Sequence, residues 1–181
     1  MPASLLSPNV DNYYIGKGIL SVKLEGESTY RDMGNAPQFT FEPTVEKLDH
    51  FSSRAGVKKK DKVAVISQTG TLVVLLEEFT PHNLALMLMG EVTDLGSPGG
   101  AITIDVMSNS ERRGAFRFIG TNDVGAKVQV DFPLVSFTPS KAIEFISEEY
   151  SQLELTGDVL LDETSSPPSF GTVSMTVQES P

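Results

Sequence analysis

QFTFEPTVEKLDH, residues 38–50, alternates Phe39, Phe41 and Val45 with Gln38, Thr40, Glu42, Thr44 and Glu46. A period of two is the mark of a strand with one apolar and one acidic-polar face. Pro43 offers no N–H to a ladder, so the strand lies at a sheet edge or carries a bulge there. Residues 49–62 form a polar loop with the triplet Lys58, Lys59 and Lys60, and residues 62–79 are again extended and β-branched. Ser67-Gln68-Thr69-Gly70 interrupts that second segment. Either a hairpin turns there, or one long strand carries a glycine bulge, which is the reading preferred here. Residues 72–76, LVVLL, are apolar on both faces and predict cover on both sides.

Working outward, residues 1–12 read as a loosely structured arm. Beyond it Tyr14, Leu20, Val22 and Leu24 share one face of a strand, with Lys17, Ser21, Lys23 and Glu25 largely on the other. One helix is predicted at about 81–89. Thr80 suits its N-cap, Pro81 its first turn, and Gly90 its C-terminal stop. Leu84, Met87 and Leu88 repeat at i, i+3, i+4, and Ala85, Leu86 and Met89 make the helix apolar nearly all round. One side packs on its own sheet and the other meets a second surface. Short alternating patterns follow at 101–106, 115–119, 127–137, 141–146, 149–161 and 171–178. One helix among roughly eight or nine strands predicts a mainly β fold, a β-sandwich or barrel with one flanking α-helix. The expected organisation is an arm at 1–12, a β domain at 13–163, and a C-terminal linker and strand at 164–181. No internal repeat is visible.

The chain has 181 residues, enough for one domain, with no Cys and no Trp. Without cysteine there are no disulfides, thiolate metal sites or thiol nucleophiles. Lys and Arg number 14 against 24 Asp and Glu, a net charge of −10. The imbalance sits in the second half, where residues 91–181 hold 5 basic and 14 acidic groups. Tight nucleic-acid binding needs a basic stripe, so that class is disfavoured. The N-terminus has no basic segment followed by an apolar stretch, and the longest apolar runs fall far short of the ~20 residues of a membrane span. The expectation is a protein soluble where it is made.

Motifs for chemistry are absent. His50 and His82 have no signature partners, and neither a GxSxG nor an HExxH pattern occurs. Gly16-Lys17-Gly18 is not followed by a helix, so it makes no phosphate loop. Glu77-Glu78 and Glu148-Glu149 are neighbours that point opposite ways on a strand, which makes them poor chelators. Arg112, Arg113 and Arg117 with Phe116 and Phe118 form a weak nucleic-acid footprint in an acidic half. No catalytic, cofactor-binding or metal residue is assigned, and the chain is read as a non-enzyme without cofactors. What stands out is more apolar β surface than one chain of this size hides, which points to assembly.

From Tyr13 to Gly90, a little under half of the chain, the sequence resembles the major tail tube proteins of tailed bacteriophages. The resemblance is carried by YYIGKGILSVKLEG (13–26), MGNAPQFTFEPTVEKLDHFSS (33–53), KKKD (58–61) and FTPHNLALMLMG (79–90). The second half fits as strands closing a barrel, without the appended Ig-like domain some relatives carry.

That resemblance implies hexameric rings stacked into a tube lined by one continuous β-barrel in a virion tail, made in the cytoplasm of the bacterial host. Double-stranded DNA passes through without specific binding. The implied partners are further copies of the chain, the tape-measure protein, the tail terminator, and distal-tail or baseplate proteins. If each subunit gives four strands, about 24 strands at ~4.8 Å and a tilt of ~40° close a barrel roughly 48 Å across. About 5 Å of side chain on each side leaves a bore of roughly 38 Å, room for a duplex. An acidic or neutral bore repels phosphate and lets DNA slide, so Glu42, Thr44 and Glu46 are the lumen-lining candidates. Lys58, Lys59 and Lys60, with Val173, Met175 and Val177 after Pro167-Pro168, are the ring-stacking candidates. The C-terminal set serves equally as an ordinary closing strand. Leu84, Met87 and Leu88 give the helix a subunit contact. Competing readings are a tail terminator or distal-tail ring of the same fold, and a soluble β-sandwich binding module.

Overall fold

The computed structural model describes residues 10–54, 56–94 and 100–176. After a single 3-10 turn at Val10–Asn12 come β1 (Gly18–Leu24), β2 (Arg31–Asp32), β3 (Gln38–Ser52) and β4 (Lys59–Leu76). Helix α1 (Pro81–Met87) follows, then β5 (Glu91–Asp94), β6 (Thr103–Asp105), β7 (Arg112–Gly120), β8 (Lys127–Pro139), β9 (Leu153–Val159) and β10 (Thr172–Thr176). The fold is mainly antiparallel β with one helix.

One sheet runs in the order β2-β1-β7-β8-β9-β4-β3, with β10 also on β8, while β5 and β6 make a separate hairpin. β9 and β10 share one side of β8 end to end. Val135 to Pro139 pairs with β9, and Lys127 to Asp131 pairs with β10. The sheet rolls over its apolar face. Phe39 on β3 meets Phe116 and Phe118 on β7 at ring centroid distances of 5.1 and 5.6 Å, and Phe41 meets Phe132 on β8 at 4.7 Å. Inside lie Leu20 and Val22 of β1, Leu72, Val74 and Leu76 of β4, and Leu153 and Leu155 of β9, all buried. The roll does not close, because β2 and β3 end the sheet unpaired with each other.

Helix α1 plugs the roll. Thr80 is its N-cap, its hydroxyl accepting the Asn83 N–H at 3.2 Å, and Pro81 opens the first turn. The helix ends two residues earlier than the sequence predicts. Met89 takes the left-handed conformation (φ 49°), and the Gly90 N–H donates to the Ala85 carbonyl at 2.7 Å. Gly90 answers a different need, since a Cβ there would lie 2.2 Å from the Asp105 carbonyl oxygen of β6. The second side of the helix meets the chain's own β5–β6 hairpin, where Met107 N–H donates to the Leu88 carbonyl. Asn83, also buried, locks helix to sheet. Its amide donates to the carbonyls of Met33 (2.8 Å) and Glu78 (3.1 Å), and its Oδ1 accepts from Arg31 Nη1 (3.3 Å). Burial pulls the Arg31 guanidinium below its ordinary pKa, while charge attraction to Glu27 and the hydrogen bond Arg31 donates to it work against that shift.

Four expectations are corrected. The loop expected at 49–62 is confined to 53–58, since 49–52 extend β3 and 59–62 open β4. The segment expected at 62–79 does form one long strand, Lys59–Leu76, but its bulges fall at the register shifts opposite Glu46/Lys47 and His50/Phe51, not at Gly70. Gly70 sits in register opposite Pro43, because a Cβ there would come within 2.7 Å of the Phe41 ring. Residues 141–146 are not a strand: β9 already has β8 on one side and β4 on the other, so no ladder is left for them. Leu72–Leu76 is buried only at its alternate positions, with Val73 and Leu75 half-exposed on an uncovered outer face.

Asn83→Ala leaves the Met33 carbonyl and the Arg31 guanidinium without their buried partner. It lowers the unfolding free energy by about 1–3 kcal/mol, read as a lower urea midpoint at unchanged slope. An unchanged midpoint contradicts the anchoring role.

Candidate assembly surface

The β4–β9 ladder stops at Gly70↔Val159, yet β3 and β4 remain paired out to Ser52↔Lys59. The two strands therefore leave the body as a hairpin arm, roughly 33 Å long at ~3.3 Å per residue. Residues 40–51 and 59–66 are all exposed, among them Val45, Leu48, Phe51, Val63, Val65 and Ile66. Residues directly opposite in the register share a face. Val45, Lys47, Asp49 and Phe51 thus lie beside Gln68, Val65, Val63 and Lys60, continuing the face on which Phe39 and Phe41 pack against the rings of β7 and β8. The core's apolar stripe runs on into solvent.

The opposite face is mainly polar, with Val73, Leu75 and, farther out, Leu48 as its apolar members. Glu42, Thr44 and Glu46 stand together on it, across from Thr71, Thr69 and Ser67. The Ser67 hydroxyl donates to Glu46 Oε2 at 2.9 Å, and the Thr71 hydroxyl to Asp158 Oδ1 at 3.4 Å. The same face continues through Glu154, Thr156 and Asp158 of β9 to Ser136 and Thr138 of β8. On β9 the alternation of Leu153, Leu155 and Val159 with Glu154, Thr156 and Asp158 is readable in the sequence. Only the register with β4 puts those acids on the same face as Glu42. Over β3 before Lys47, β4 after Lys62 and all of β9, this face carries four carboxylates and no Lys or Arg.

At the arm's tip, residues 47–62 hold six Lys or Arg against two Asp. Lys60 pairs with Asp49 at 2.6 Å, and His50 with Asp61 at 2.6 Å. Lys58, Lys59, Lys62 and Arg54 make no ion pair with described residues. Two of the three arginines on β7 are neutralised by contrast. Arg113 pairs with Glu111 at 2.7 Å, and Arg117 pairs with Asp131 while lying 4.2 Å over the Tyr30 ring. Hydrogen bonds from Arg113 and then Ser136 hold the Glu111 carboxyl below its ordinary pKa.

The outer edge of β3 pairs with no described residue along its 15 residues. About half of an edge strand's N–H and C=O groups point away from its partner. Val173 and Met175 lie on β10, opposite Val130 and Val128, and stay exposed; Val177 lies outside the described residues. Of the helix candidates, Met87 is 3% exposed inside the chain's own core, and Leu84 and Leu88 are half-buried. The lumen candidates therefore come together on one face, while the stacking and helix candidates sit on separate elements. Where the roll stays open, a cleft of about 420 Å³ is lined by Lys17, Leu20, Phe39, Phe118 and Val130.

His50 stands exposed on the arm and His82 exposed in the first helical turn. Among the described residues no cluster of three or more His, Asp or Glu is placed to hold a metal, and no helix is long and apolar enough to cross a membrane.

Fold and surface together define an open, rolled β-sheet with a projecting hairpin. The chain belongs to the family described as "Protein of unknown function UCP028589", which matches residues 13–99 and 97–173. No curated protein matches it. Among solved structures it is similar to a chain from the tail of an empty GTA particle, computed with helical refinement in C6 symmetry. That chain is 14% identical with a TM-score of 0.42, over 88% of this chain and 96% of the other. A chain from the virion of a native gene transfer agent particle is 12% identical with a TM-score of 0.43, over 94% of this chain and 100% of the other. Both scores are low.

Val63→Lys with Val65→Lys changes two exposed arm positions. The unfolding midpoint shifts by no more than about 0.5 kcal/mol, while self-association in sedimentation velocity falls sharply. A large loss of stability contradicts an arm left unsupported by its own fold.

Proposed function

We propose that this chain is a structural protein of a phage-like tail, forming hexameric rings that stack into a hollow tube conducting double-stranded DNA. The observation that carries the reading is the polar, acidic outer face of a sheet whose end strand is unpaired. That face spans four strands: β3, β4, β9 and the C-terminal half of β8. Six such sets meet the strand count from which a bore of roughly 38 Å follows. Thr and Ser hydroxyls interspersed with Glu42, Glu46, Glu154 and Asp158 make a wetted, anionic lining. Phosphates are repelled from it, and with no Lys or Arg on those strand segments there is no counterion release to hold DNA in place.

The free β3 edge gives neighbouring subunits a directional contact through backbone hydrogen bonds. The arm, with its apolar stripe and basic tip, reaches beyond the body toward the next ring. Partners of such a tube are the tape-measure protein inside it and the terminator and distal-tail proteins at its ends, and the location is the virion tail.

Electron microscopy of the purified protein at rising concentration tests the reading. Long hollow filaments support it. Isolated rings point instead to a terminator or distal-tail component, and dispersed monomers overturn it. Glu42→Lys with Glu46→Lys retains filaments but makes them bind duplex DNA at low salt, with affinity falling as salt rises. Filaments that stay indifferent to DNA contradict the assignment of these residues to the bore.

A further inference from the structure

We propose that the β8–β9 loop, residues 141–150, is the receptor on one copy of this chain for the arm tip of the next, joining copies head to tail. The proposal rests on the assembly reading above and names its contact.

Topology sets the two surfaces at opposite ends of the molecule. Leu76 pairs with Leu153, which places the loop at the C-terminal end of β4, while the arm tip lies beyond Lys59 at the other end of the same strand. The separation along β4 is on the order of 55 Å at ~3.3 Å per residue. No chain satisfies its own loop with its own tip. A contact between unlike ends repeats by translation into an open stack rather than closing as a dimer.

The charges of the two ends are opposite. The tip carries Arg54, Lys58, Lys59 and Lys62 without ion pairs to described residues. The loop carries Glu144, Glu148 and Glu149 against Lys141. Glu77 lies beside it, accepting from Gln152 Nε2 at 3.3 Å, with Glu78 next in the chain. The apolar groups match as well. Ile146 and Tyr150 are 97% and 98% exposed and Phe145 70%, while Val57 at the tip is 73% exposed. Side chains of this size standing free in a cluster mark a surface that another surface covers.

The loop's backbone is also uncommitted. Residues 141–150 make no backbone–backbone hydrogen bond to described residues. They are held by side-chain contacts, the Ser151 hydroxyl donating to the Glu144 carbonyl at 2.8 Å and Glu149 N–H donating to Ser147 Oγ at 3.1 Å. Residues 141–150 lie outside every described strand, so their N–H and C=O groups lack a ladder neighbour. An incoming hairpin supplies one.

The test uses the full chain with three charge-reversed forms, judged by sedimentation velocity and negative-stain microscopy. The first is Glu144→Lys/Glu148→Lys/Glu149→Lys, the second Lys58→Glu/Lys59→Glu/Lys62→Glu, and the third combines both sets. Each single set raises the concentration needed for polymer by roughly tenfold or more, because like charges then face each other. The combined form recovers most of the wild-type polymer. Ile146→Asp reproduces the loss without reversing a charge, and unchanged circular dichroism shows that each form is folded. Single sets that polymerise like wild type overturn this contact and leave the tube reading standing, as does a combined form no better than the worse single set. Wild-type chains that form neither rings nor filaments overturn the tube reading itself. If wild-type polymer binds duplex DNA and arm reversal abolishes that binding with polymer intact, the tip is a nucleic-acid contact and the proposal fails.

Discussion

A β-strand is stable when its backbone polar groups have partners, and in this chain the longest strands outrun the sheet that could provide them. β4 has a neighbour on both sides only from Gly70 to Leu76, and β3 has one on a single side throughout. An unpaired edge of this length is a template for another chain, and soluble proteins usually blunt it. Here the blunting is modest: Pro43, two bulges, and charged residues spaced along the arm. Such a edge stays open to a specific partner while the alternating charges hold off indiscriminate pairing.

The two faces of the β3–β4 ribbon divide the work. The face carrying Phe39 and Phe41 closes the roll over Phe116, Phe118 and Phe132, which fixes the ribbon to the body. Farther out the same face turns to Val45, Val63, Val65 and Phe51, with no body beneath it. The reverse face is polar through Glu42, Thr44 and Glu46, with Val73 and Leu75 at its base and Leu48 farther out, and β9 extends it with Glu154, Thr156 and Asp158. Apolar attachment on one side and a hydrated acidic surface on the other are thus set by one register, because a one-residue slip exchanges the faces. The bulges at Ile66 and Asp61 alter that register only beyond the body.

Much of this was legible in the sequence. The alternation at 38–46 identified β3 and put Glu42, Thr44 and Glu46 on one face, and the capping chemistry of Thr80 and Pro81 located the helix. What alternation does not encode is pairing. It could not say that β4 loses its second neighbour at Gly70, so the lysine triplet read as part of a loop rather than the tip of an arm. For the same reason 141–146 read as a strand although β9, the strand they lead into, is already paired on both sides. Gly70 and Gly90 read as a bulge and a helix stop because glycine usually signals conformation. Here both mark close approaches, of the Phe41 ring and of the Asp105 carbonyl, which only the tertiary structure reveals.

The central claim is that a second copy completes the free edge of β3. Amide hydrogen exchange, followed residue by residue across a concentration series, addresses it directly. The account predicts that β3 amides on the outer edge exchange rapidly in dilute protein and become strongly protected at concentrations where the protein assembles, while core amides of β1 and β9 are protected throughout. Outer-edge amides that are protected in the monomer, or that stay unprotected in the assembled state, would contradict it.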